Sequence, residues 1–98
     1  MICHLVFYRT KQGLNEQDEI RLMEEARRRL PKVPGVMNLK VGRSLGGTDQ
    51  GFTIALAMDF TDVDALEAYR VHPDHQKFVT KIAEPLLENV WRYDFEWK

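Results

Sequence analysis

Apolar residues follow two different spacings in the first third of the chain. The opening run from Ile2 to Tyr8 is largely apolar and rich in β-forming residues, so we predict a strand at residues 2–9, covered on both faces. After Asn15 the apolar spacing becomes three and four, which predicts a helix with one buried side, closed by Pro31 and Pro34. That side consists of Ile20, Met23, Ala26 and Leu30.

The middle of the chain predicts two strands joined by a glycine-rich connection. Residues 36–43 have a weaker strand pattern, and a stronger strand opens at Gly51-Phe52 and ends near Phe60. The connecting sequence GRSLGGTDQG favours a flexible hairpin. A phosphate cradle is the weaker interpretation, because no lysine-serine pair or helix start follows the glycines.

The last third predicts a broken helix and a final strand. Thr61 or Asp62 can cap the first helical segment, and the His72-Pro73 pair ends it and starts a second segment. Pro85 ends or kinks that second segment, and residues 90–97 alternate as a strand. The first segment carries the apolar residues Val63, Leu66 and Tyr69, and the predicted buried residues of the second segment are Phe78, Val79, Ile82 and Leu86.

This order of elements predicts one α+β domain over residues 1–98. Strand, helix, two strands, broken helix and strand make a ferredoxin-like βαββαβ fold with a four-stranded antiparallel sheet. Right-handed crossovers place both helical regions on one face of that sheet. The other face is then uncovered.

Aromatic residues of the last strand predict what lies on the uncovered face. Successive side chains of a strand point to opposite faces. One face of the last strand therefore carries Trp91, Tyr93, Phe95 and Trp97, and the other carries Val90, Arg92, Asp94 and Glu96. On the first strand, alternation leaves two sets open, Cys3, Leu5 and Phe7 or the opposite parity. Because an exposed apolar sheet face marks an association surface, we predict a homodimer through it.

Composition narrows the classes of partner. The 98 residues carry 14 basic and 15 acidic side chains, for a net charge of −1, which argues against nucleic acid and anionic membranes. The one basic run, at 27–29, follows Glu24 and Glu25 and is typical of a solvated helix face. The single cysteine, Cys3, cannot form an internal disulfide, and the first residues lack the pattern of a signal peptide. We therefore expect a cytoplasmic protein.

The densest group of reactive side chains lies at the helix break, residues 69–75. His75 falls in a first helical turn, where the helix dipole disfavours imidazolium, so a neutral imidazole able to accept a proton is expected. Tyr69 can return towards it across the bend. His4 and Asp94 can converge on the same cavity, with Asp94 orienting His75.

Each of these residues also has a purely structural interpretation. The histidines and proline can merely cap helices, His4 can be an ordinary strand residue, and Cys3 a small apolar one. A metal site at His72 and His75 is disfavoured because no thiolate or glutamate set accompanies them. We predict neither metal nor cofactor. Arg92 is expected to face the helices, where it pairs with a carboxylate or holds an anionic ligand.

Several segments carry a family resemblance along nearly the whole chain. They are CHLVFYR, LPKVPGV, VGRSL, the GF pair before the third strand, DFTDVDALEAYRVHPDHQKFV and YDFE. The AYxxHPxHxxF pattern within them is the most specific. Through these segments the chain resembles the stress-responsive A/B barrel (Dabb) family. The resemblance implies a dimeric α+β barrel of two ferredoxin-like subunits packed sheet to sheet, each with a pocket between sheet and helices.

A plant member of that family, a polyketide cyclase working without a cofactor, implies roles for individual residues. Its acid/base pair matches His75 and Tyr69, its strand-one histidine matches His4, and its strand-four aspartate matches Asp94. The pocket wall that this match implies is Val6, Tyr8, Leu22, Met23, Leu56, Phe78 and Val90, to which we add His72 and Arg92. This assignment places Cys3, Leu5 and Phe7 at the interface with Trp91, Tyr93 and Phe95.

The chain also departs from that cyclase. Ile54 and Ala26 stand where the cyclase has a histidine and a tyrosine, and Arg92 replaces an apolar pocket residue. The resemblance therefore supports a pocket for a small, partly apolar, oxygenated molecule more than it supports one substrate. We expect cofactor-free proton transfer if the protein is an enzyme. The alternative is a non-catalytic stress-response protein or small-molecule carrier.

Overall fold

Four antiparallel strands form one sheet in the computed structural model, which describes residues 1–98. The strands are β1 (Ile2–Thr10), β2 (Met37–Arg43), β3 (Ile54–Phe60) and β4 (Leu87–Glu96). Their order across the sheet is β2-β3-β1-β4, with every neighbouring pair antiparallel. The connections make a ferredoxin-like βαββαβ fold, so the predicted fold class is confirmed.

The first crossover is helix α1 (Glu16–Arg29), which local chemistry defines at both ends. Asn15 accepts a hydrogen bond from the Asp18 backbone, and the Asp18 side chain accepts one from the Asn15 backbone, which is a reciprocal capping box. Acidic residues occupy its first turn and arginines its last, as the helix dipole favours. A short 3-10 turn follows, beginning at Leu30 immediately before Pro31.

The second crossover consists of four short helical segments. Helix α2 (Val63–Val71) is capped by Asp62, and helix α3 (Pro73–Lys77) starts at the predicted His72-Pro73 break. The chain then widens into a π-helical segment (Phe78–Ala83) and tightens into a 3-10 turn at Glu84–Leu86. The predicted second helix is thus not an uninterrupted α-helix.

Alternation along the strands separates a core face from an outer face. On β1 and β3 the buried residues are Ile2, His4, Val6, Tyr8, Ile54, Leu56, Met58 and Phe60, which point towards the helices. Cys3, Leu5 and Phe7 alternate with them and are half-buried on the outer face. The geometry therefore has the strand-one parity that the family resemblance implies.

Two predicted strand boundaries were wrong. β3 begins at Ile54 rather than Phe52, because the Phe52 N–H donates to Asp49 within a loop turn and the Phe52 ring packs under Arg9. β4 begins at Leu87, before Val90, because β1 runs on to Thr10 and pairs with Leu87 after a bulge. None of the helices has both the length and the apolar character to span a membrane.

Candidate functional site

Two adjacent cavities lie between the sheet and the second crossover. The inner one encloses about 30 Å³ and the outer one about 370 Å³, and Tyr8, Val79 and Arg92 line both. The inner cavity is otherwise lined by His4, Val6, Leu30, Leu56, Met58, Tyr69, Arg70, His75 and Phe78. The outer cavity is otherwise lined by Ala83, Glu84, Leu87, Glu88, Asn89 and Val90. Together they form a pocket with a narrow interior, in which a few polar groups lie among apolar walls, and a wide mouth.

His4 is the one polar residue among the buried ones, and strand register supplies its partner. It faces Asp94 directly across the β1–β4 ladder. The Asp94 carboxylate accepts hydrogen bonds from His4 Nδ1 and, at 2.5 Å, from Arg70 Nη2. Because a carboxylate oxygen can only accept a hydrogen bond, Nδ1 of His4 carries the proton. In neutral His4 the other nitrogen, Nε2, therefore has a free lone pair.

His75 has the same tautomer for a different reason. Its Nδ1 lies 3.1 Å from the backbone oxygen of Arg70, which can only accept. Neutral His75 therefore presents the lone pair of Nε2. Its ring packs against Tyr69, with ring centroids 4.2 Å apart and planes inclined at 38°. The histidine and tyrosine that the sequence singled out thus meet at the inner cavity.

Burial sets the protonation states of the pocket. Desolvation lowers the pKa of both His4 and His75, although the hydrogen bond to Asp94 opposes this for His4 and the bond to Arg70 oxygen opposes it for His75. Desolvation also raises the pKa of Tyr8 to about 12 and raises the pKa of Tyr69. At neutral pH the pocket therefore combines unprotonated imidazoles with protonated phenols.

The two phenols are free to bind a ligand. Neither the Tyr8 nor the Tyr69 hydroxyl has a hydrogen-bond partner within the protein, yet no buried side-chain polar atom in the structure is unsatisfied. Both hydroxyls must therefore reach open space, and both residues line the inner cavity. A bound molecule would find donors from Tyr8, Tyr69 and Arg92 and acceptors from the histidines.

The structure separates the predicted site residues into those it brings together and those it does not. His4, Tyr69, His75, Val6, Tyr8, Leu56, Phe78 and Arg92 line the inner cavity, and Val90 lines the outer one. Leu22 and Met23 are buried on α1 but line neither cavity. His72 caps α3 by accepting from the Asp74 N–H. No group of three histidine, cysteine, aspartate or glutamate side chains is arranged to hold a metal ion.

One expectation about the site was wrong, and one residue was missed. Asp94 does not orient His75, because the sheet register places it against His4. Arg70 orients His75 instead, because its backbone oxygen accepts a hydrogen bond from His75 Nδ1. The guanidinium of Arg70 also donates to the Asp94 carboxylate. The position of Arg70 beside Tyr69 at the helix break was the available signal. Its partner on β4 depends on tertiary packing that no local pattern encodes.

The domain is of the ferredoxin-like α+β class, and it carries a pocket with polar groups between the sheet and the helices. Residues 2–97 match the Stress responsive A/B Barrel Domain (Dabb) family, and the chain belongs to that family.

Solved structures share the whole architecture. A Dabb family protein from Mesorhizobium loti is 26% identical, with a TM-score of 0.87 over 99% of this chain and 96% of that chain. A dimeric ferredoxin-like protein of unknown function from Thermobifida fusca is 24% identical (TM-score 0.83; 98% and 90% covered). The hydroxynitrile lyase from Passiflora edulis is 22% identical (TM-score 0.83; 96% and 90% covered). No curated protein matches the chain.

Proposed function

We propose that the pocket binds a small, partly apolar carbonyl compound and catalyses cofactor-free proton transfer at a carbon next to the carbonyl. The observation that carries this proposal is the hydrogen bond from His75 Nδ1 to the Arg70 oxygen. This bond leaves Nε2 as the unprotonated nitrogen. Burial lowers the pKa of His75, which keeps the ring neutral at neutral pH. A neutral imidazole beside a phenol at a cavity is an arrangement suited to general acid–base chemistry.

In the proposed step His75 first removes a proton from the substrate and later returns it to the product. His75 Nε2 takes the proton of the C–H bond, the electron pair of that bond forms a carbon–carbon double bond, and the π pair of the carbonyl moves onto its oxygen to make an enolate. The Tyr69 hydroxyl donates a hydrogen bond to that oxygen as charge develops. The proton then returns from imidazolium to the product, so isomerisation, cyclisation or elimination can follow. The Passiflora edulis relative, named a lyase, supports the idea that this fold carries lyase chemistry.

The test uses the simplest form of this chemistry, exchange of carbon-bound hydrogen in D2O. A panel of ketones, 1,3-diketones and oxo acids is followed by NMR with the intact protein. We expect exchange in at least one compound, slowed about a hundredfold in His75→Ala and less in Tyr69→Phe. Lys77→Ala, an exposed change on the same helix, is the control. Exchange that survives unchanged in both pocket variants contradicts the mechanism.

The size of the inner cavity favours a second candidate, a non-catalytic stress-response protein or carrier. About 30 Å³ holds little more than one or two waters. A carrier needs only the outer cavity of about 370 Å³. Native mass spectrometry of the purified protein distinguishes the two: a bound compound that is released without chemical change, with no exchange in the panel, favours the carrier.

We also propose that two copies associate through the outer sheet face. That face carries Cys3, Leu5 and Phe7 on β1 and exposed Trp91, Tyr93 and Phe95 on β4. Burial of such a face about a two-fold axis is the usual solution for an apolar sheet surface. The Thermobifida fusca relative, described as dimeric, supports it. Sedimentation equilibrium at micromolar concentration is the test, and a monomer there contradicts the dimer.

A further inference from the structure

Arg92 is one of two arginines that neither a carboxylate nor a backbone carbonyl of the protein binds. The arginines that hydrogen-bond to a carboxylate or a backbone carbonyl are Arg9, Arg27, Arg28, Arg29, Arg43 and Arg70. Arg21 and Arg92 make neither contact. Both side chains are exposed to solvent, but Arg21 borders a surface groove between α1 and the second crossover, whereas Arg92 lines the two cavities beside His75 and Tyr69.

The strand register places Arg92 at the pocket. It pairs with Val6 across the β1–β4 ladder and therefore shares the parity of the core face. It lines both the inner and the outer cavity, at the point where they adjoin. Arg70 also lines the inner cavity, but its guanidinium already binds Asp94 and Glu67. Arg92 is thus the free cation of the pocket.

The surroundings of Arg92 restrict what it can bind. Val6, Phe78, Val79 and Val90 give the adjoining cavities apolar walls. Glu84 and Glu88 line the outer cavity and form no ion pair with Arg92. A ligand here meets one guanidinium, apolar contacts and the two carboxylates of the outer cavity. An apolar chain with a single negative head group satisfies all three, whereas a second negative charge would meet the glutamates.

We propose that Arg92 anchors the carboxylate of a small monocarboxylic acid with an apolar body. This inference rests on the proposed function and deepens it: the substrate class becomes oxo acids. The carboxylate binds the guanidinium of Arg92, the carbonyl oxygen accepts from Tyr69, and the C–H between them faces His75 Nε2. Guanidinium binds carboxylate through two parallel N–H donors, which fixes orientation as well as position.

Binding of matched probes tests the anchor without any turnover. Butanoate, hexanoate and octanoate are titrated calorimetrically against their primary amides, together with the dicarboxylate adipate. In the wild type we expect at least one acid to bind about tenfold more tightly than its amide. Adipate should bind more weakly than hexanoate. Equal affinity of acids and amides, tighter binding of adipate, or the absence of saturable binding by any acid overturns the proposal.

Variants assign the preference to one side chain. Arg92→Gln should abolish the preference for acid over amide, and Arg92→Lys, which keeps the charge, should retain part of it. Arg21→Gln removes an equal charge from a surface position and should change nothing. Far-UV circular dichroism verifies folding of each variant. An acid preference that survives in Arg92→Gln refutes the anchor.

The outcomes separate this inference from the proposed catalysis. Acid binding that depends on Arg92, without hydrogen exchange in any oxo acid, leaves the anchor standing and contradicts the chemistry. Exchange that depends on His75 but is equally fast for neutral ketones and oxo acids supports the chemistry and contradicts the anchor.

Discussion

The two pocket histidines share a tautomer but have different partners. His4 donates to the Asp94 carboxylate, which stabilises an imidazolium, whereas His75 donates to a neutral backbone carbonyl. Positive charge on His4 further lowers the pKa of His75. The pocket therefore disfavours simultaneous protonation of both rings, and His75 is the better candidate for the base. His4 is better suited to hold a proton.

At the level of single residues, acid should destabilise the protein through these rings. Each has an ordinary pKa near 6.5 in the unfolded chain and a lower pKa when folded, so the unfolded state binds more protons between the two values. The histidine contribution to the free energy of unfolding is constant above about pH 6.5 and decreases as the pH falls towards the folded pKa.

Urea unfolding from about pH 8 to about pH 5 measures this effect, with His75→Gln as the comparison. The carboxylates contribute equally to both proteins, so the difference between their profiles isolates His75. We expect a shallower loss of stability below about pH 6.5 in the variant. Parallel profiles would show that burial of His75 does not lower its pKa.

At the level of elements, the π-helical segment shows why a helical period misjudged part of the pocket. Reading a 3.6-residue period predicts Phe78, Val79, Ile82 and Leu86 on the buried side, but the most buried residues are Phe78 and Ala83. The wider π turn brings positions five apart onto one face, and the Glu84 N–H bonds back to Val79. Pro85 contributes, because its ring is incompatible with a regular α-helical turn before it.

Strand alternation predicted faces but not register, and that difference limits what sequence reveals of the site. The parity of β4 correctly separates Arg92 and Asp94 from the aromatic residues. Which β1 residue faces Asp94 depends on where the two strands start pairing, and the early start of β4 at Leu87 follows no local signal. The fold and the Tyr69–His75 contact region were therefore predictable, whereas the His4–Asp94–Arg70 chain was not.

The α1 cap allows a quantitative prediction at this scale. Asn15→Ala removes the side chain that accepts from the Asp18 backbone and breaks the capping box. We expect the free energy of unfolding to fall by about 1 kcal/mol in urea denaturation. Gln17→Ala, an exposed change in the same turn, should alter it by less than about 0.5 kcal/mol. An equal loss in both variants would exclude the cap as the source of the effect.

At the level of the whole molecule, β4 connects the pocket to the outer face. Arg92 lines the pocket and Asp94 binds the pocket residue His4, whereas Trp91, Tyr93 and Phe95, which alternate with them, remain 54%, 53% and 42% exposed. The exposed rings form a continuous row, with centroids of neighbouring rings 6.3 and 6.4 Å apart. β4 is also an edge strand with a single hydrogen-bonded neighbour. A partner on the outer face would therefore steady the strand that presents the pocket groups.

Tyr93→Glu tests this connection, because Tyr93 lies in the middle of the aromatic row. Burying a carboxylate among apolar rings without a partner is strongly unfavourable, so we expect Tyr93→Glu to sediment as a folded monomer and the wild type to sediment as the proposed dimer. Lys77→Glu, a change at an exposed position on the helix side, is expected to leave the dimer intact. Unchanged sedimentation of Tyr93→Glu would exclude the aromatic row from the interface.

If the partner steadies β4, amide hydrogens along the β1–β4 ladder should also exchange faster in the Tyr93→Glu monomer, whereas those of β2 and β3 should change less.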